Sequence, residues 1–538
     1  MKKRLAVFLA AAMAVSVMGG CSGGTTSGTA NTGAVSEAAA GSETGSGSPQ
    51  GEEAKIKDTI KIALAYDITS LDPHIGKEMR ACIISQQIFD TLVEWDPAGG
   101  IGSEIVPCLA TSWEYLSDTA VQFKLREGVK FHDGNVMTAE DVKYSIERCM
   151  NSPQVGYNAT ALDSVEIVDE NTVIINTKEP YAPLLASLTI TPFSIVSKAA
   201  ASADEDNFGA HPVGTGRYQF VSYETGASAK LEAFGDCWRG APKTKYLDMV
   251  IVPENAQRTI LLETGEVDIA YEILPNDVER VEQSENLKMA TTTGSKCYLV
   301  NYNTQAEGRP IGNKLVRQAI ECCMDKQLLV DMVLYGKGSP AYNIVSENNV
   351  AYQPVEERPC DLEKAKALLA EAGYPGGGFS LNIWLDTNDV WLQYAQIMQA
   401  ELEKVGITLN IETMESSALA SREKSDTDNY DMSVRFINSL TGDSRFTVYN
   451  LLFSDSASNK SYWKNDRADA LMLEGRAILD VEESKDIYKE LYGIIREEMP
   501  CLPMWFDEIL VGLNKNVDGF IPRADGIHVY GQDVVCYE

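Results

Sequence analysis

Residues 105–148 read IVPCLATSWEYLSDTAVQFKLREGVKFHDGNVMTAEDVKYSIER. Positions 113–125 alternate apolar and polar residues on both sides of the turn LSDTA, the pattern of a hairpin with one face against a core. From Thr138 to Met150 the spacing becomes helical, and Thr138 with Asp141 three residues on forms an approximate capping box. Between hairpin and helix lies Phe131-His132-Asp133-Gly134. Asp and Gly are turn formers, and Asp133 is suited to accept bonds from nearby backbone amides. His132 therefore reads as a structural turn residue, not a ligand.

The same alternation continues outward on both sides. Residues 59–66 (TIKIALAY) predict a strand that ends in the loop DITSLDPH, followed by a helix over about 80–92. Strands are expected at 165–168 and 172–177, then in RYQFVSY, KLEAF, LDMVIVP and VDIAYEI. A helix over 255–263 should stop at Gly265. Twice more a helix ends at Gly and leads into a strand: DLEKAKALLAEAGYPGG into FSLNIWL, and LQYAQIMQAELEKVG into ITLNIETM. A last helix over 481–498 precedes CLPMWF. Helices alternating with strands indicate an α/β fold. A body running from about residue 56 to 538 exceeds the size of one core, so two lobes are expected.

The N-terminus has its own logic. Lys2, Lys3 and Arg4 precede an apolar run over 5–18 that gives way to Gly19-Gly20-Cys21. A basic start, about 14 apolar residues and small residues at the end are those of a secretory signal. The run is shorter than the roughly 20 residues a membrane span requires. Residues 22 to about 53 are almost entirely Gly, Ser, Thr, Ala and Glu without an aromatic, too polar to fold, so 21–55 reads as a flexible linker. Some 30 such residues span about 30 Å.

The chain carries 46 basic and 78 acidic residues, a formal charge of −32. This argues against nucleic acid and against electrostatic binding to anionic lipid. Beyond Cys21, ten cysteines remain. Several sit in apolar patterns, which favours buried thiols, and four histidines with no CxxC pair exclude a structural zinc site. No GxSxG, HExxH, GxGxxG or phosphate-binding loop is present. The chain is read as neither an enzyme nor a cofactor or metal protein.

The signature at 105–148 resembles the peptide/nickel class of bacterial solute-binding proteins, family 5, the receptors of ABC importers. HPVGTGRYQF, ETGEVDIAY, LVNYNT, VRQAIECCMDKQLLVDMVLYGKG, DLEKAKALLAEAGYPGG and QAELEKVGITLNIE extend that resemblance over nearly the whole body. Gly19-Gly20-Cys21 is similar to a bacterial lipobox, whose cysteine takes a diacylglycerol anchor, although Met18 stands where Leu is usual.

The resemblance implies a periplasmic-binding-protein-like fold. Lobe one would cover 56–290, with a subdomain at about 100–210, and lobe two 291–502. Residues 503–538 would return to lobe one, after a signal peptide at 1–20. The hinge crossings would fall at 296–303 and 502–506. The chain would be a lipid-anchored monomer on the outer face of the cell membrane, passing a solute, foremost an oligopeptide, to a permease and its ATPase. An oligosaccharide or a nickel or other metal chelate is the alternative solute.

The resemblance also implies where the cleft lies. The loop 67–80 offers Ser70, His74 and Arg80. Segment 379–391 offers Trp384 and Trp391. Segment 431–445 offers Arg435, Phe436, Asn438 and Asp443. Arginine in an apolar strand is costly unless paired, so Arg435 should meet a partner such as Asp443 or an anionic ligand group. Peptide-binding members hold the ligand's ammonium with an aspartate whose place falls here on Leu440. Asp443 is the nearby acid.

Overall fold

In the strand Thr59–Leu64, Ile60, Ile62, Ala63 and Leu64 are no more than 1% exposed, while Thr59 is half-buried and Lys61 exposed. A near-continuous apolar run of this kind belongs inside a parallel sheet. In the computed structural model, which describes residues 55–538 apart from 77, 78, 529 and 532, it runs parallel to Tyr246–Ile251 and to Ile269–Tyr271. The signal, Cys21 and most of the linker lie outside the described residues.

These strands belong to one large mixed sheet of 11 strands among the described residues. From one edge to the other it runs Ile407–Met414, Phe379–Asp386, Met432–Asn438, Leu287–Tyr302, Cys501–Asn514, Ile269–Tyr271, Thr59–Leu64, Tyr246–Ile251, Ser228–Ala233 and Tyr218–Glu224. The short strand Gly338–Pro340 adds to Cys501–Asn514. The two long antiparallel strands, Leu287–Tyr302 and Cys501–Asn514, carry the sheet from one lobe into the other. Residues 287–293 pair with 508–514, the register breaks between Thr293 and Cys297, and 297–301 then pair with 501–506. Each lobe has its own core: Ile62, Leu231 and Met249 lie in one, Leu381, Met398 and Leu502 in the other.

The opening signature forms a third core. Ala110–Ser117 and Ala120–Leu125 make the hairpin, with Trp113 opposite Phe123, and Leu162–Asp169 and Thr172–Thr177 complete a four-stranded antiparallel sheet. The helix Ala139–Met150 packs on it. The Asp141 carboxylate accepts from the Thr138 N–H at 2.9 Å, the return bond of a capping box, while the Thr138 hydroxyl donates to the same carboxylate at 3.1 Å. The Asp133 carboxylate accepts from the Asn135 N–H at 3.0 Å, and the His132 ring bonds the Gly216 carbonyl at 3.0 Å and meets Phe234 in a T-shaped contact.

The helix expected over 80–92 ends earlier, as Met79–Ile88. Its continuation is taken by other partners. The Asp90 carbonyl accepts from Ile195 N–H at 2.9 Å, and that of Leu92 accepts from Ala110 N–H at 2.9 Å. The helices Asn255–Glu263, Leu362–Glu371 and Asp389–Glu403 do stop before Gly265, Gly373 and Gly406, all at positive φ. The ten described cysteines are free thiols, nine of them buried and Cys360 exposed. Among the described residues, no helix is long and apolar enough to cross a membrane.

Candidate ligand-binding cleft

A cleft of about 300 Å³ opens where the two long strands pass between the lobes. Tyr66, just past the carboxyl end of Thr59–Leu64, lines one side with Tyr271, Glu272 and His528. The carboxyl ends of parallel strands are where ligands of open α/β sheets bind. Tyr298, Lys337, Trp391 and Trp505 line the other side, and Lys296 and Asp507 stand at the junction. The Tyr298 and Trp505 rings are stacked at 5.1 Å, and Trp391 meets Tyr298 edge-on at 6.3 Å. Phe436 packs 6.0 Å from Tyr298 and 6.4 Å from Trp391 yet keeps half of its surface exposed. Together these rings offer apolar faces to a bound molecule.

The charges of the cleft are few and specific. Lys296 Nζ lies 3.6 Å from Asp507 Oδ2 and 5.1 Å above the Phe436 ring. Burial pushes the Asp507 carboxyl above its usual range, with Lys296 opposing. Gly294 makes room for that carboxylate, since a Cβ there would lie 2.2 Å from Asp507 Oδ1. His528 is almost wholly buried, and its Nδ1 accepts from the Arg523 N–H at 3.0 Å. The ring proton therefore sits on Nε2. Burial, helped by the Arg523 charge, drives its pKa down to about 3, so the ring is neutral.

A second cavity, of about 520 Å³, lies between Tyr157, Asn158 and Ile190 and the segment from Arg435 to Lys460. The lobes touch around it. A Cβ on Gly102 would lie 1.7 Å from the Asn348 carbonyl oxygen. The Arg476 guanidinium lies 4.9 Å over Tyr181 and 3.7 Å over Tyr449, while its carbonyl accepts from Ala182 N–H at 2.7 Å.

The residues expected to bind ligand are divided between several places. Trp391 lines the cleft, and Phe436 lines the second cavity while packing on Tyr298 and Trp391 of the first. Asn438 lines the second cavity and accepts from Ser295 Oγ at 2.6 Å. Arg435 also lines it, but its partner is neither Asp443 nor open space: the buried Glu423 carboxylate holds it at 3.1 and 2.5 Å. Asp443 is engaged elsewhere, accepting from the Arg445 guanidinium at 2.7 Å and from the Arg445 N–H at 2.9 Å as a helix cap.

Trp384 is enclosed in lobe two, stacked on Tyr430 at 5.3 Å beneath the Arg422 guanidinium. His74 is buried with its Nδ1 2.8 Å from Arg148, which grips Asp72 through two bonds of 2.7 and 2.6 Å. It lines a separate hollow with Arg148, Tyr144 and Glu205. Ser70 accepts from the Asp72 N–H at 3.1 Å in a tight turn. Arg80 falls in the helix Met79–Ile88, and its side chain lies outside the described ones. Sequence reasoning missed Tyr271, Lys296, Trp505, Asp507 and His528. CLPMWF carried a signal in its aromatic run, whereas His528 sits in a loop with no periodic pattern.

A mixed sheet crossed by two long strands, with a cleft at the crossing, defines the class of two-lobed solute-binding proteins. Residues 104–459 match the family described as bacterial extracellular solute-binding proteins, family 5 middle, and the chain belongs to it. It is thus an extracytoplasmic solute-binding protein of the kind that serves ABC importers. It is 29% identical to heme-binding protein A of Haemophilus influenzae, over 83% of this chain and 86% of that one. It is 27% identical to the glutathione-binding protein GsiB of Pectobacterium atrosepticum, over 87% and 92%. Among solved structures, the ABC transporter-associated binding protein DppA of Helicobacter pylori, in complex with the peptide STSA, superposes with a TM-score of 0.76 at 26% identity, covering 89% of this chain and 98% of that one.

Proposed function

We propose that the chain captures an extracellular oligopeptide in the cleft between the lobes and delivers it to a membrane permease driven by an ATPase. The carrying observation is that residues of both lobes wall one cleft where the two long strands cross. A solute touching both walls stabilises the closed arrangement in proportion to its preference for it. We place the hinge at the register break near Thr293 and Cys297, with lobe one as 56–290 plus 503–538 and lobe two as 291–502. Phe436, which lines the second cavity and packs on Tyr298 of the first, gives an elongated ligand an apolar surface beside the cleft. The peptide complex of the Helicobacter pylori relative supports the solute class. Binding, not catalysis, is the role we assign, as a monomer held at the membrane through a lipid on Cys21.

A second reading keeps the fold and changes the solute. The half-exposed Phe436 ring beside Tyr298 and Trp391 suits the apolar face of a sugar. Thermal-shift measurements on the full chain with di- to pentapeptides, oligosaccharides and nickel-histidine separate the two. A solute at 100 times its Kd adds about 2.7 kcal/mol of stability. A shift with an oligosaccharide and none with any peptide would overturn the peptide reading.

A further inference from the structure

The lobes also meet at residues that belong to neither of the two long strands. There the dipeptide Tyr181-Ala182, in the subdomain of lobe one, holds a single residue of lobe two in two ways. The Arg476 carbonyl accepts from the Ala182 N–H at 2.7 Å, and the Arg476 guanidinium lies 4.9 Å over the Tyr181 ring. The same guanidinium lies 3.7 Å over the Tyr449 ring of its own lobe. One cation is therefore held by an aromatic ring from each side of the junction.

This contact is sheltered from water. Tyr181 is 6% exposed, and Arg476 Nε is buried without a hydrogen bond. A desolvated cation is attracted to an aromatic face more strongly than a solvated one. Around it the two surfaces fit closely. Val350 of lobe two packs against Trp95 and Ile101, and Phe446 packs against the core of the subdomain. Apolar packing of this kind is non-directional, whereas the grip on Arg476 is made in one relative position of the lobes. Parting them separates Tyr181 from the guanidinium and breaks the bond from Ala182.

We propose that Arg476 is a positioning residue for solute capture, a latch that sets the balance between open and closed lobes. This rests on the two-lobed receptor reading. A contact made by the chain's own residues in the closed arrangement favours closure before any solute adds to it, and so strengthens the binding of every solute alike.

The latch is tested by hydrogen exchange on the full chain without solute, read by mass spectrometry on peptides spanning residues 180–184. Arg476→Gln removes the cation and leaves the carbonyl that accepts from Ala182, so protection of this amide reports the position of the lobes. The expected result is exchange about tenfold faster at 180–184, with the core segments 488–495 and 121–125 unchanged. Tyr181→Leu removes the ring from the other lobe and should speed exchange at 180–184 in the same way, which keeps the test open if Arg476→Gln does not fold. Arg467→Gln, on the same helix but paired with the exposed Glu490, should change nothing there. Unaltered exchange at 180–184 in the Arg476 and Tyr181 variants overturns the latch. So does an equal acceleration in Arg467→Gln, or one spread evenly through the core segments, since either would mean a loss of local stability and not an opening of the lobes. Because no solute is present, these results leave the receptor reading standing, and that reading falls only with the thermal-shift measurements.

Discussion

The Asp443 carboxylate lies 2.7 Å from the Arg445 guanidinium, with 1% and 4% of the two side chains exposed. Asp443 also caps the helix Ser444–Leu452 through the Arg445 N–H. An acid so engaged is a structural part. Removing one partner of a buried pair leaves an uncompensated charge and costs about 3–5 kcal/mol. Asp443→Ala is therefore expected to lower stability to denaturant by that order while the folded fraction keeps its solute affinity. A large loss of affinity at unchanged stability would return Asp443 to the site.

Two aromatic substitutions should separate cleft from core. Phe436 is half exposed and packs on Tyr298 and Trp391, whereas Trp384 is 1% exposed against Tyr430. Phe436→Ala should weaken solute binding about tenfold with little change in unfolding, because half of its surface is free to meet a solute and little of it is buried in a core. Trp384→Ala should cost about 3–5 kcal/mol of stability and leave the affinity of the surviving folded protein intact. The reverse pattern would exchange their roles.

Acid should weaken the fold through two histidines. Burial lowers the pKa of His74 from 6.5 to about 4 and that of His528 from 6.5 to about 3. Above pH 6.5 both are neutral whether folded or unfolded and affect stability equally. Below it the unfolded chain takes up protons the folded chain refuses, so stability falls with pH until the folded pKa is reached. Each histidine thus withdraws on the order of 3 kcal/mol across that window. Urea unfolding at pH 7, 5.5 and 4.5 should show the decline, and His74→Gln should flatten it. An identical slope in that variant would show that His74 protonates freely in the fold.

The proposed lipid anchor has its own test. With Cys21 as the acylated residue, Cys21→Ser should move the protein from the membrane fraction to the soluble one. Continued membrane association of this variant would contradict the lipobox reading.

Local patterning was legible and long-range placement was not. The hairpin around Trp113 and Phe123, the Thr138–Asp141 cap and the glycine stops at Gly265 and Gly373 all follow from spacing within a dozen residues. The cleft does not. Tyr66, Lys296, Trp391, Asp507 and His528 meet across most of the chain's length. An isolated sequence does not reveal that a buried Glu423 neutralises Arg435 from a neighbouring helix. For the same reason Trp384 and Trp391 read alike, although one belongs to a strand facing the interior and the other to the following helix. His74 does not reach the cleft, because the Asp72–Arg148 pair holds it in a buried cluster.

On this reading the solute sits between the lobes where the two long strands pass from one to the other. A crystal structure of the full chain with the peptide that gives the largest thermal shift tests it most directly. Density for the ligand is expected between the Trp391–Trp505 wall and the Tyr271–His528 wall, beside Asp507. A ligand bound wholly outside that cleft, with the cleft residues unchanged, would contradict the account.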